Sequence, residues 1–318
     1  MRSCRLFAII SLLGGCADVS GAPATERGDD ELRATKLDVV RRDHLPLREV
    51  SGLGQRRVGG ETSQLAIGDA SPTLVTFDVT DGGEVDAIRA HDLSGLFGAG
   101  SPQWEAVAGD AEGKVFVLAE TTSKISVLDA RLSRIVHTID VVMPPDHPLA
   151  DDWRDDENSR IEGMVLLTNG HVLVAKEKNP PALVELAPRG SKPEGYRPEL
   201  ALGRDRAFAL PPRATSELVA TKHWLLKPSD ERALPDISDL STDAEGRLLL
   251  LSDQGRAIAR IERQLDPTED KIDVKAIFAL PSSVAKPEGL MLSAGRPLVA
   301  VDAKDADDDA LFELQTLP

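Results

Sequence analysis

An all-β fold, a β-propeller of five blades with six as the alternative, is the architecture that this 318-residue chain predicts. Three observations predict it. A pattern of about 50 residues recurs five times, the turns inside it are of the Asp/Glu/Asn-Gly type, and no run between repeats carries a helical apolar period. Small antiparallel sheets repeated in this way hide their edges by closing into a ring.

Each repeat opens on a short signature: REVSGL ending at Leu53, PQWEAV at Val107, SRIEGM at Met164, PDISDL at Leu240 and AKPEGL at Leu290. A β-rich strand ending in an acid follows: LAIGD to Asp69, VFVLAE to Glu120, VLVAKE to Glu177, LLLLSD to Asp253 and LVAVD to Asp302. A third strand comes next, namely LVTFDV, ISVLDA, ALVELA, AIARIE and ALFELQ. The key positions 51, 105, 162, 238 and 288 are spaced 54, 57, 76 and 50 residues apart. The long interval supplies either extended outer strands of the third repeat or a degenerate sixth blade. Because the chain stops after three strands of the last repeat, KLDVVRRDHLPL ahead of Ser51 is expected to close the ring as its fourth.

The N-terminus reads as an address. Arg2 and Arg5 precede an apolar run from Leu6 to Leu13, too short to span a membrane. Residues 1–15 are therefore expected to be a signal peptide. The junction Leu13-Gly14-Gly15-Cys16 resembles the bacterial lipobox, which implies lipidation of Cys16 and, with Ala17 after it, the outer membrane of the cell envelope. The alternative is an ordinary signal cut near Ala22 or Ala24. Residues 16–31 read as a flexible acidic tether and 32–318 as the propeller domain. Both cysteines lie within the first sixteen residues, so the remainder contains neither disulfide nor thiolate metal site. With 37 basic against 53 acidic residues and a net charge of −16, nucleic acid is excluded as a partner.

Taken together, the Glu-Gly and Ser-Asp signatures, AKEKNPP at 175–181 and the DISDL/LLLLSD pair resemble the SdiA-regulated protein family over about residues 45–317. That resemblance implies an exported bacterial β-propeller and carries no reaction. A looser likeness extends to the family named esterase-like activity of phytase.

Meander geometry brings each key residue to the rim where the next strand ends. Glu105 should meet Glu120, Glu162 should meet Glu177, and Glu288 should meet Asp302, while Ser51 faces Asp69 and Ser238 faces Asp253. Carboxylates crowded at one end of an axial channel need protons, neighbouring bases (Lys176, Lys178, Lys286, Arg160, Arg256) or a hard cation, Ca²⁺ or Mg²⁺. The proposed ligands are Glu105, Glu120, Glu162, Glu177, Asp253, Glu288 and Asp302. The competing reading has these acids capping backbone N–H groups between blades. Ser51 and Ser238 read as hydrogen-bonding structural residues.

Other motifs read as structure. Gly109–Lys114 is a hairpin turn and not a P-loop, 305–309 a solvated hairpin tip, and 146–158 an exposed acidic loop. The six histidines read as surface or turn residues, with His147 beside Asp146 the least implausible base. The expected function is a lipid-anchored binding or scaffolding module for an envelope protein or small ligand. The alternative is a Ca²⁺- or Mg²⁺-dependent phosphoesterase or lactonase using the channel acids.

Overall fold

The computed structural model describes residues 34–156, 159–203, 205–261, 264–305 and 308–318, which fall within one unit, Leu32–Pro318. The signal and the whole of the tether, Cys16 included, lie outside the described residues, as do Ala306 and Asp307 of the 305–309 run. In chain order, β1 (Thr35–Lys36) and β2 (Val39–His44) precede a first blade of β3 (Val50–Val58), β4 (Glu61–Gly68), β5 (Thr73–Val79) and β6 (Val85–Asp92). The second comprises β7 (Trp104–Gly109), β8 (Val115–Ala119), β9 (Lys124–Leu128) and β10 (Ile135–Val142). The third has β11 (Gly163–Leu166), β12 (Val172–Lys176), β13 (Ala182–Pro188) and β14 (Thr215–Leu225). The fourth has β15 (Asp239–Thr242), β16 (Leu248–Ser252), β17 (Ala257–Ile261) and β18 (Val274–Ala279). The last has β19 (Pro287–Ser293), β20 (Arg296–Val301) and β21 (Asp309–Leu314).

The described strands thus make five meanders, and β2 pairs antiparallel with β21 to give the fifth its outer strand. The innermost strands β3, β7, β11, β15 and β19 touch in that order, and β19 returns to β3. Alternation along each strand sends apolar side chains to both faces of a blade, so the core lies between blades. Leu65, Ile67, Trp104 and Val117 pack between the first and second, and Phe116, Ile139, Val174 and Leu186 between the second and third. Leu173, Leu183, Trp224 and Leu250 fill the next gap, while Leu251, Phe278, Leu290 and Val299 belong to the cluster that joins the fourth, fifth and first. The hairpin of the first blade turns at Gly59-Gly60, where φ values of 62° and 96° meet the positive-φ demand of a two-residue loop.

Two features depart from five separate meanders. Outer strands β10 and β14 pair in parallel, fusing blades two and three into one eight-stranded sheet. The long third interval holds no sixth blade among the described residues. After β13 the chain crosses the turn-bearing face as a strap, with Leu202 N–H donating to Leu166 O (2.9 Å), Ala111 N–H to Arg206 O (3.1 Å) and Phe208 N–H to Asp110 (3.2 Å), before returning as β14. The turn Gly109–Lys114 is what the sequence suggests, and the Asp110 carboxylate caps its Glu112 and Lys114 amides at 2.9 and 3.0 Å.

The acidic stretch 146–158 is a correction to the expectation of an exposed loop. It contains a helix, α1 (Ala150–Asp155), that buries Leu149 and Trp153.

Candidate functional site

The start of each inner strand is built the same way. Ladder register shifts at Ser51, Glu105 and Glu288, each of which is an extra residue in its strand. In blades three and four the N–H groups of Glu162 and Ser238 bond Ala175 O (3.0 Å) and Leu251 O (2.9 Å), the residues already opposite Gly163 and Asp239. All five key positions are therefore bulges, which turn a side chain out of the ladder and toward the axis. In blades one, two and five the residue two places earlier is left-handed (Glu49, Gln103 and Lys286, φ 50–51°). Its carbonyl accepts the N–H of the acid ending the next strand: Asp69 at 3.2 Å, Glu120 at 3.0 Å and Asp302 at 3.0 Å. Key residue and acid are thereby fixed at one rim.

These devices create an axial mouth of about 350 Å³. Five of the seven predicted ligands line it: Glu105, Glu162, Glu177, Glu288 and Asp302. Asp69, Ser51 and Glu49 join them. Glu120 and Asp253 are not among its lining residues. Glu120 is buried and accepts the N–H groups of Arg160 (2.5 Å) and Ile161 (3.4 Å), capping the entry to blade three. The serines act structurally: Ser51 Oγ donates to Trp104 O, and Ser238 Oγ to Pro287 O at 2.8 Å, each tying one inner strand to the next.

Enclosure by protein, then repulsion among neighbours, pushes Glu105 and Glu288 up to about 9, Glu120 to about 7 and Asp69 to about 6. Glu162 is raised well above the usual range for the same reasons. Of the expected bases, Lys178 Nζ bonds Glu177 at 2.7 Å and Lys286 Nζ bonds Asp302 at 2.5 Å. Lys176 is a correction: it is fully buried, and its ammonium donates to the carbonyls of Lys178 and Asn179. Arg256 donates to Pro281 O (2.7 Å) and Arg160 Nε to Trp153 O (2.7 Å). Despite the two lysine pairs, Asp69 Oδ1 and Asp302 Oδ1 are buried without a hydrogen bond, whereas Glu177 Oε2 lies 2.7 Å from Lys178 Nζ. Among the described residues no group of three His, Cys, Asp or Glu side chains is placed to hold a metal ion.

Sequence reasoning missed Asp239, whose sealed carboxylate accepts Leu240 N–H (2.7 Å) and Leu290 N–H (2.6 Å) at the axis. It also misread His171, which is buried with Nδ1 2.6 Å from buried Glu185. Glu185 in turn accepts Glu194 and Gly195 N–H groups at 2.9 Å, fixing the start of the strap. His147 packs edge-on against His223 at 5.1 Å, and burial lowers it to about 4, so the pair joins the helical insertion to β14.

Fold and site together define a β-propeller with a carboxylate-lined axial mouth. Residues 147–298 match the SdiA-regulated family model, the family that the repeat signatures resemble. Similar solved structures include Myxococcus xanthus glutaminyl cyclase (13% identity, TM-score 0.48, covering 89% of this chain and 98% of that one). The PQQ-bound aldose sugar dehydrogenase of Streptomyces coelicolor is similar at 12% identity and TM-score 0.47, over 89% and 99% of the two chains. The calcium-binding protein regucalcin of Agrobacterium tumefaciens is similar at 11% and 0.47, over 89% and 95%. No curated protein sequence matches the chain significantly.

Proposed function

We propose that this protein is a cell-envelope binding module, anchored through lipidated Cys16, whose axial mouth takes a hard divalent cation, Ca²⁺ or Mg²⁺. One observation carries the cation: two buried carboxylate oxygens from blades one and five, Asp69 Oδ1 and Asp302 Oδ1, have no hydrogen bond, and both residues line the same mouth. Unpaired anionic oxygen in a partly dehydrated site is costly, and a hard cation is the partner such oxygens favour. Beneath them Glu105, Glu162 and Glu288 would exchange protons for the ion's field. Because the oxygens are spread around a ring, the ion keeps part of its water shell, as Mg²⁺ commonly does. The bulged inner strands place the site on rigid elements, which suits binding without rearrangement.

Calorimetric titration of the full chain in detergent with CaCl₂ and MgCl₂ tests this. Saturable binding with a Kd of about 0.1–1 mM is expected, in the range of extracellular calcium modules. Glu105→Gln and Glu288→Gln should each weaken it about tenfold. Wild-type protein that shows no saturation by about 10 mM of either ion would remove the cation from the reading.

A further inference from the structure

Outer strands in this molecule take partners. β10 and β14 cover each other's edges and β1 covers that of β18, so among the described residues the outer strands with no neighbour beyond them are β2 and β6. An uncovered edge presents a row of unpaired N–H and C=O groups, a template for a further strand. The faces of β6 are open as well: Asp86 through Ala90 are all exposed, Ile88 to 40%, whereas exposed and half-buried residues alternate along β2. The ladder to β5 pairs Asp78 with Asp86 and Thr76 with Arg89, which leaves Ala87 and Ile88 together opposite Phe77. With Ala87 at φ 50° the two form a bulge. Three residues apart, Asp86 and Arg89 would otherwise point to opposite faces of the strand; the extra residue sets both on one face. Asp86 Oδ1 accepts the adjacent Ala87 N–H (2.7 Å), and neither Asp86 nor Arg89 forms an ion pair among the described residues.

We propose that β6 is a self-association edge, at which a second copy of this chain adds its own β6 antiparallel across a two-fold axis. The segment Glu84-Val85-Asp86-Ala87-Ile88-Arg89-Ala90-His91 carries its acids in the first half and its bases in the second, so it is complementary to its own reversal. With the axis between residues 87 and 88, Asp86 faces the partner's Arg89 and Glu84 the partner's His91 on one face, while Val85 meets the partner's Ala90 on the other. The bulge does not interrupt this ladder. Each strand brings the same two residues, Ala87 and Ile88, to the centre, so the count matches on either side of it. A slip of one residue sets Asp86 against Ala90 or Ile88 and loses both ion pairs, which specifies the register. β2 lacks the pattern, and its Arg41 is already committed to Glu313 at 3.1 Å. An isologous contact of this kind closes at two copies and joins two four-stranded blades into one sheet, as β10 and β14 join two blades within the chain.

The test is sedimentation equilibrium of the full chain in density-matched detergent over a range of protein concentrations. Wild-type protein is expected to pass from one copy to two with half-association at about 10–100 µM, the affinity of a small interface. Because every contact occurs twice across the axis, Arg89→Glu, which sets an acid against Asp86 in two places, should weaken association about tenfold or more, and Asp86→Arg should do the same. The exchanged double variant Asp86→Arg, Arg89→Glu rebuilds both pairs and should return association to within about threefold of wild type. Mixing the two single variants should likewise give a heterodimer where neither associates alone. All these side chains are exposed, so the melting temperatures at low concentration should match that of wild type. Wild-type protein that stays a single copy throughout, or association that survives Arg89→Glu, as contact through the N-terminus or another face would, overturns the proposal. So does a loss in Arg89→Glu that the exchanged variant fails to recover, which would assign the edge to an unlike strand.

Discussion

A carboxylate sealed from water persists where hydrogen bonds replace its hydration. Asp239 is 3% exposed and accepts backbone N–H groups from Leu240, Leu290 and Leu53, on the inner strands of blades four, five and one. Burial raises its pKa well above the carboxylate range, and those three donors pull in the opposite direction. Truncation by Asp239→Ala would leave the three N–H groups without their acceptor at a site with little room for water. At roughly 1–3 kcal/mol per stranded group, a loss of about 3 kcal/mol or more is expected, and Asp239→Asn, which keeps one acceptor oxygen, should lose about half as much. Urea unfolding measures both, and an Ala variant within about 1 kcal/mol of wild type would show that the amides find other acceptors. This residue was legible in principle. After the key position the five repeats read Gly52, Ala106, Gly163, Asp239 and Gly289, so one acid stands where the others are small. Strict alternation hid it, because it allows one axial side chain where a bulge supplies two.

Those small residues mark where inner strands come closest. A Cβ on Gly163 would lie 2.4 Å from Leu240 N, and one on Gly289 2.9 Å from Leu53 Cγ. The first meets backbone, which cannot swing aside, whereas the second meets a side chain. Gly163→Ala is therefore expected to destabilise by about 2–3 kcal/mol and Gly289→Ala by less, read as shifts in urea midpoint at constant m-value. Equal, small losses would mean that the inner ring yields as a whole. Most strands were legible because period-two patterning and Gly-bearing turns are local signals. The parallel pairing of β10 with β14 was not, since Thr138–Val142 and Thr215–Val219 lie far apart in sequence and an outer strand with a partner patterns like one without. The helical insertion was hidden by its charge: Asp151, Asp152 and Asp155 read as loop, while Leu149 and Trp153 anchor it.

Closure of five blades gathers acids that are remote in sequence into one field, and this property of the ring no single repeat displays. Chain reversal in the hairpins brought Glu162 with Glu177 and Glu288 with Asp302 to one rim, while Glu120 and Asp253 fall outside the mouth; convergence of Asp69, Glu105, Glu162, Glu177, Glu288 and Asp302 depends on β2 joining β21 and β19 meeting β3. The consequence is a stability that depends on pH in a direction opposite to that of paired surface acids. Glu105 and Glu288 hold protons to about pH 9 in the folded chain, whereas a free glutamate releases its proton near 4.5. Between those values the folded chain binds more protons than the unfolded one. The contribution is therefore complete below about pH 4.5 and is lost as pH rises toward 9. In EDTA the melting temperature should fall between pH 5 and pH 9 by about 5 °C or more, and the double variant Glu105→Gln, Glu288→Gln should flatten that slope. Added Mg²⁺ should restore stability most at the alkaline end, where the ion competes with fewer protons for the same oxygens. A wild-type melting temperature that holds or rises over this span would show that the ring leaves its acids free to ionise, and the mouth would then be an open, solvated rim with no drive to take up a cation.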